Sequence, residues 1–101
     1  MITVYISAGN SDDKLTQADW AAFQQRVVAE VQGIAVEVHG VWHSAPMTGY
    51  QNMCICAVLN EHGAGVLRDE LAGAAADFRQ ESIAWAEVPQ TEFVSPAAAS
   101  G

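Results

Sequence analysis

Three groups of residues carry side chains suited to chemistry. The first is the acidic run Asn10, Ser11, Asp12 and Asp13, which follows an apolar stretch and precedes a helical pattern. Its oxygens are of the kind that hold a hard cation. The calcium-loop pattern of acids at alternate positions closed by a glutamate is missing, and acids ahead of a helix also serve a turn and the helix dipole. Asn10, Asp12 and Asp13 are thus the candidate ligand-binding residues, set against a plain turn that starts a helix. The second group is His39 and His43, with Glu37 two residues before His39. In a regular strand the two histidines share a face but stand roughly 13 Å apart, too far to share one metal ion. Gly40 between them permits a bulge. Glu37 and His39, about 7 Å apart, form an acid–base pair only if a substrate pocket lies beside them. The third group is Cys54 and Cys56, two apart in an extended run. A bond between such neighbours is strained, and two thiols are too few for a metal. They read as free thiols of a reducing compartment. No nucleophile elbow, phosphate-binding glycine loop or zinc motif occurs. The expectation is no catalytic residue, no metal and no cofactor.

The elements that must position these residues can be read from periodicity. Ile2, Val4 and Ile6 alternate with Thr3, Tyr5 and Ser7, a strand with one apolar face. Thr16 can cap a helix, with Asp19 completing a capping box and Leu15 and Trp20 forming a hydrophobic staple. Trp20, Phe23, Val27, Val28 and Val31 continue the apolar stripe, and Gly33 stands where a helix would end. Ile34, Val36 and Val38 begin a second strand whose even face runs to Trp42 and whose odd face carries Glu37, His39, Val41 and His43. Pro46 and Gly49 break it. Met53 to Leu59 is apolar at every position, as in a central strand buried on both faces. The stretch "NEHGAG" reads as a turn, and Val66, Leu67, Leu71, Ala74 and Phe78 recur at helical spacing. Ser82 to Val88 reads as a fourth strand ended by Pro89, and "TEFV" as a short edge segment.

The order β-α-β-β-α-β in 101 residues predicts an α+β ferredoxin-like sandwich. Its four-stranded antiparallel sheet has two helices on one face. The expected domain is 1–94, with a loose tail at 95–101. The helices leave one sheet face open. The odd residues of the first two strands fall there, and for the third strand we assign Met53, Ile55, Ala57 and Leu59, reasoning that small cysteines suit close packing under helices. The fourth strand adds either Ile83 and Trp85 or Ala84 and Ala86. An apolar centre with a polar rim marks an interface. The expected interface residues are Tyr5, His39, Val41, His43, Met53 and Ile55, with Tyr50 in the connection as an exposed anchor.

Charge narrows the partners. Twelve acids against four bases give a net charge of −8, which repels nucleic acid and anionic membranes. No basic leader or membrane-length apolar run is present, so a cytoplasmic protein is expected.

The stretches "VYISAGNSDDKLTQADW", "VHGVWHSAPMTGYQN" and "FRQESIAWAEVPQTEF" resemble a set of small uncharacterised proteins of actinobacteria and their phages. That resemblance implies a small phage or host protein and brings no site residues with it. The sequence therefore points to a non-enzymatic protein-interaction module, homodimeric through its open sheet face, with a host protein as a further partner. The alternative is a small ligand-binding domain or enzyme with its site near Asn10–Asp13 and His39/His43.

Overall fold

The computed structural model describes residues 1–10, 15–45, 50–90 and 92–98. Its elements follow the order β1 (Ile2–Gly9), α1 (Gln17–Ile34), β2 (Glu37–His43), β3 (Asn52–Leu59), α2 (Glu61–Asp77) and β4 (Ala84–Val88). All strand pairs are antiparallel and the sheet order is β2-β3-β1-β4. This is the ferredoxin-like α+β fold, with both helices on one face.

Local chemistry explains where the helices start. The Thr16 hydroxyl accepts from the Asp19 backbone N–H at 3.1 Å, as the sequence predicts. Asn60 does the same for α2, its side chain accepting from Gly63 N–H at 2.7 Å. "EHGAG" is therefore the first turn of α2 and not a connecting turn, because Asn60 caps it. Helix α1 runs past Gly33 to Ile34 and ends at Ala35, whose N–H donates to Val31 O. Gly33 is interior to the helix, so the residues after Val31 are not yet strand. Helix α2 closes with Gln80 N–H on Ala75 O and Arg79 N–H on Ala76 O, which places Arg79 in the left-handed region at φ 56°.

One core lies between helices and sheet. Val4, Ile6, Ile55, Ala57 and Leu59 of the central strands pack under Phe23, Val27, Val31 and Leu67 of the helices. Phe23 also touches Phe78, with ring centroids 5.3 Å apart, so the two helices share aromatic packing. Above it, Arg26 bonds Glu30 within α1 at 2.9 Å and reaches Asp77 of α2 at 3.0 Å. These two carboxylates, Asp77 foremost, hold the Arg26 guanidinium above its usual pKa.

The pairing corrects the expected assignment of β3. Ile6 lies opposite Ile55, Val4 opposite Ala57 and Ala8 opposite Met53, and paired residues share a face. Met53, Ile55, Ala57 and Leu59 thus point under the helices and are buried. The cysteines take the open face. In β4, Ile6 opposite Trp85 turns Trp85 to the helix side and leaves Ala84 and Ala86 on the other. The segment "EFV" forms no strand; residues 92–98 are exposed and carry no regular secondary structure.

Candidate functional site

Strand β2 is the reason the open face differs from its expected content. Val38 pairs with Ala57, but Gly40 pairs with the next residue, Cys56, so His39 is an extra residue in a β-bulge. One extra residue reverses the alternation beyond it. Val41 then pairs with Ile55 and His43 with Met53, both on the helix side. Val41 packs against the core, and the His43 ring meets Gln24 of α1 through Nδ1 and Oε1. Neither residue lies on the open face. His39 stays beside Glu37, with Nδ1 3.8 Å from Oε1. The bulge separates the two histidines, and among the described residues no three His, Cys, Asp or Glu side chains gather as metal ligands.

The open face is a grid of three rows across β2, β3, β1 and β4. The first is Trp42, Cys54, Ser7 and Ala84; the second Gly40, Cys56, Tyr5 and Ala86; the third Glu37, Val58, Thr3 and Val88. Only Glu37, at a corner, is charged. Two aromatics stand out: Tyr5 is 42% exposed and Trp42 is 54% exposed. Trp42 lies back over Gly40, where an added Cβ would stand 2.9 Å from the indole. A side chain at position 40 would push the indole off the sheet. Tyr5 lies opposite Cys56. A hydrogen bond with that thiol, and then its charge when ionised, raise the Tyr5 hydroxyl above its ordinary value near 10. Tyr50 is 72% exposed but stands outside the sheet.

Sequence reasoning missed Trp42, Val58 and the two cysteines as open-face residues. Glycine inside β2 was the available signal, because glycine in a strand interior often marks a bulge.

The residues on either side of the acidic run form a polar network. Asn10 is 2% exposed and wholly engaged. Its Nδ2 donates to Leu15 O at 3.1 Å and to Gln51 Oε1 at 3.3 Å, while its Oδ1 accepts from Leu15 N–H at 3.1 Å. Its backbone N–H donates to Gln51 O at 2.8 Å. Gln51 in turn exchanges two amide bonds with Gln17, at 2.9 and 2.7 Å. Asn10 is therefore the clasp that joins the two ends of the loop, and its amide offers no free donor to a ligand. Asp12 and Asp13 lie outside the described residues. A cleft of about 250 Å³ opens beside this network, bordered by Gln17, Gln24, His43, Ser44, Gln51 and Asn52. Sequence gave no signal for Gln17 and Gln51, whose pairing spans 34 residues.

No family model matches the chain, and no curated protein matches it by sequence. Among the described residues no helix is long and apolar enough to cross a membrane. The fold is similar to the solution structure of the C-terminal domain of the MgtC protein from Mycobacterium tuberculosis, with a TM-score of 0.61 over 91% of this chain and 93% of that domain. Sequence identity is 7%, so what the two share is the arrangement of the backbone.

Proposed function

We propose that this chain is a non-enzymatic interaction module that forms a homodimer through the open face of its sheet. The observation that supports it most is the grid itself, in which one position of twelve is charged. The chain as a whole carries 16 charged residues in 101 and a net charge of −8. Two such acidic molecules repel everywhere except where charge is sparse. Trp42 and Tyr5 supply aromatic area there, the residue types that dominate interface energetics. An isologous dimer covers both copies of the patch at once. Burial in such a dimer also removes Trp42 from water, which a free monomer leaves half uncovered.

The rest of this reading belongs to the same proposal. The protein works in the cytoplasm of an actinobacterial host or its phage, and a host protein binds it through surfaces left outside the dimer, including Tyr50. Light scattering after gel filtration over a broad concentration range tests the dimer. Trp42→Glu is expected to lower the solution mass of the wild type by one association step, with unchanged circular dichroism. A wild-type monomer at every concentration overturns the reading.

A second reading is favoured by one observation, the convergence of His43, Gln24, Ser44 and Gln51 around one cleft. There the protein would bind a small polar ligand beside the Asn10 clasp. A thermal-shift screen with metal ions and metabolites distinguishes it: a flat response across the panel removes this reading and leaves the dimer untouched.

A further inference from the structure

A groove on the helix side of the sheet, separate from the open face, lies between α2 and the β4 strand. It measures about 400 Å³, and its floor is Leu71, Ala75, Ile83 and Trp85. Arg68 forms one end, its guanidinium carbon 5.3 Å from the centroid of the Trp85 ring. Gln80, Glu81 and Ser82 border the other end, beyond the last turn of α2. From Arg68 to Ala76 the helix rises about 12 Å, which sets the groove length. In a chain with twelve acids, Arg68 has no carboxylate at ion-pair distance among the described residues. It caps one end of an apolar trough beside Trp85, whose indole N–H donates to Glu87 Oε1 at 3.1 Å.

The same chain presents a segment of matching chemistry. After β4 come Glu92, Phe93 and Val94. Phe93 is 90% exposed and Val94 is 95% exposed. A lone exposed apolar residue needs no explanation, but an adjacent phenylalanine and valine stripped of all packing do. Three extended residues span about 10 Å, close to the length of the groove. Side chains alternate in an extended segment, so Phe93 turns to the apolar floor away from Glu81, while Glu92 and Val94 stay at the rim, where Glu92 reaches Arg68.

We propose that the Glu92–Val94 segment of one copy seats in the α2–β4 groove of a second copy. The chain's own groove is the poorer host. Folding back after Pro89 in a tight hairpin would set Phe93 beside Val88, and Val88 is three residues, or roughly 10 Å, along the strand from Trp85. A second copy carries no such restriction. The inference does not rest on the open-face dimer, which uses the opposite side of the sheet.

The test uses the full-length chain carrying Phe93→Asp and Val94→Asp, whose own tail cannot dock, and a synthetic peptide of residues 90–98. Nuclear magnetic resonance follows the titration. The expected result is saturable shifts at Trp85, Ile83 and Ala75 with Trp42 and Tyr5 unmoved. A peptide with Phe93→Asp should give none, and Arg68→Gln in the receptor should weaken binding about tenfold. The absence of saturable shifts, or shifts centred on the open face, overturns the proposal. In the intact chain the Trp85 signal should change with concentration. A Trp85 signal that is independent of concentration, yet altered by the tail substitutions, would show docking in the chain's own groove and also overturn it. Trp42→Glu should leave peptide binding intact. If the Phe93→Asp/Val94→Asp chain is monomeric both with and without Trp42→Glu while the peptide still binds its groove, the dimer reading fails and this one stands.

Discussion

Ile55 and Cys56 are neighbours in β3 and face opposite ways. Ile55 points under the helices, among Val4, Ile6, Phe23 and Leu67, and is fully buried. Cys56 points to the open face, where Tyr5 and Gly40 flank it. Both residues are shielded from water, yet by different means: two helices cover the first, and only side chains of the same sheet cover the second. The helix-covered face is built from large aliphatic groups because close packing against α1 and α2 returns the transfer free energy of each methylene. The open face mixes small, aromatic and β-branched residues with almost no charge, which gives a surface that tolerates water and still has area to offer a partner.

Matched truncations on one strand break this comparison most sharply. Ile55→Ala should lower unfolding free energy by about 3–4 kcal/mol, the transfer loss plus a cavity under Phe23. Val58→Ala, on the open face of the same strand, should cost less than about 1 kcal/mol. Urea unfolding of both variants reads the difference directly, and equal losses would mean that the open face is as tightly covered as the core.

Next in size is the loop clasp. Asn10→Ala removes both bonds to Leu15 and the bond to Gln51. Buried polar groups left without partners should make this cost about 2 kcal/mol, which thermal denaturation will show. Asn10→Asp should not rescue it, because the carboxylate cannot donate to Leu15 O or Gln51 Oε1.

Gly40→Ala separates interface from stability. The new methyl forces the Trp42 indole off the sheet, but the ring is exposed and can swing out. Stability should change by about 0.5 kcal/mol or less, while the dimer measured by light scattering weakens. An unchanged dimer would show that the position of Trp42 does not matter to assembly.

The smallest effect is on titration. Tyr5 is raised above its ordinary value because Cys56 stabilises the neutral hydroxyl and its thiolate repels the phenolate. A raised folded value means that the native state holds the proton more tightly than the unfolded chain. That contribution is fully present below the ordinary tyrosine range and is lost as pH rises through the folded value. Cys56→Ala should move the Tyr5 ultraviolet titration back toward 10. No movement would place the cause elsewhere than the thiol.

The sequence alone determined the order of elements and the two-helix, four-strand architecture, since each helix has a clear apolar stripe and β1 a clear alternation. It also located the Thr16 cap, which depends only on residues within one turn. For Asn60 the same cap is present in "NEHG", but the following glycines resemble a loop and mask the start of α2. What tertiary structure decided was which way strands face. In β3 every residue from Met53 to Leu59 is apolar, so alternation has no phase, and only pairing with the one-sided β1 sets it. In β4 the phase comes from Ile6 opposite Trp85. In β2 the bulge at His39 reverses the phase partway along, taking Val41 and His43 to the core side and Trp42 to the open face. The Asn10–Gln51–Gln17 network joins residues up to 41 positions apart. Local periodicity carries no information about hydrogen bonds made across a fold, and a strand apolar on both sides learns its orientation only from its neighbours.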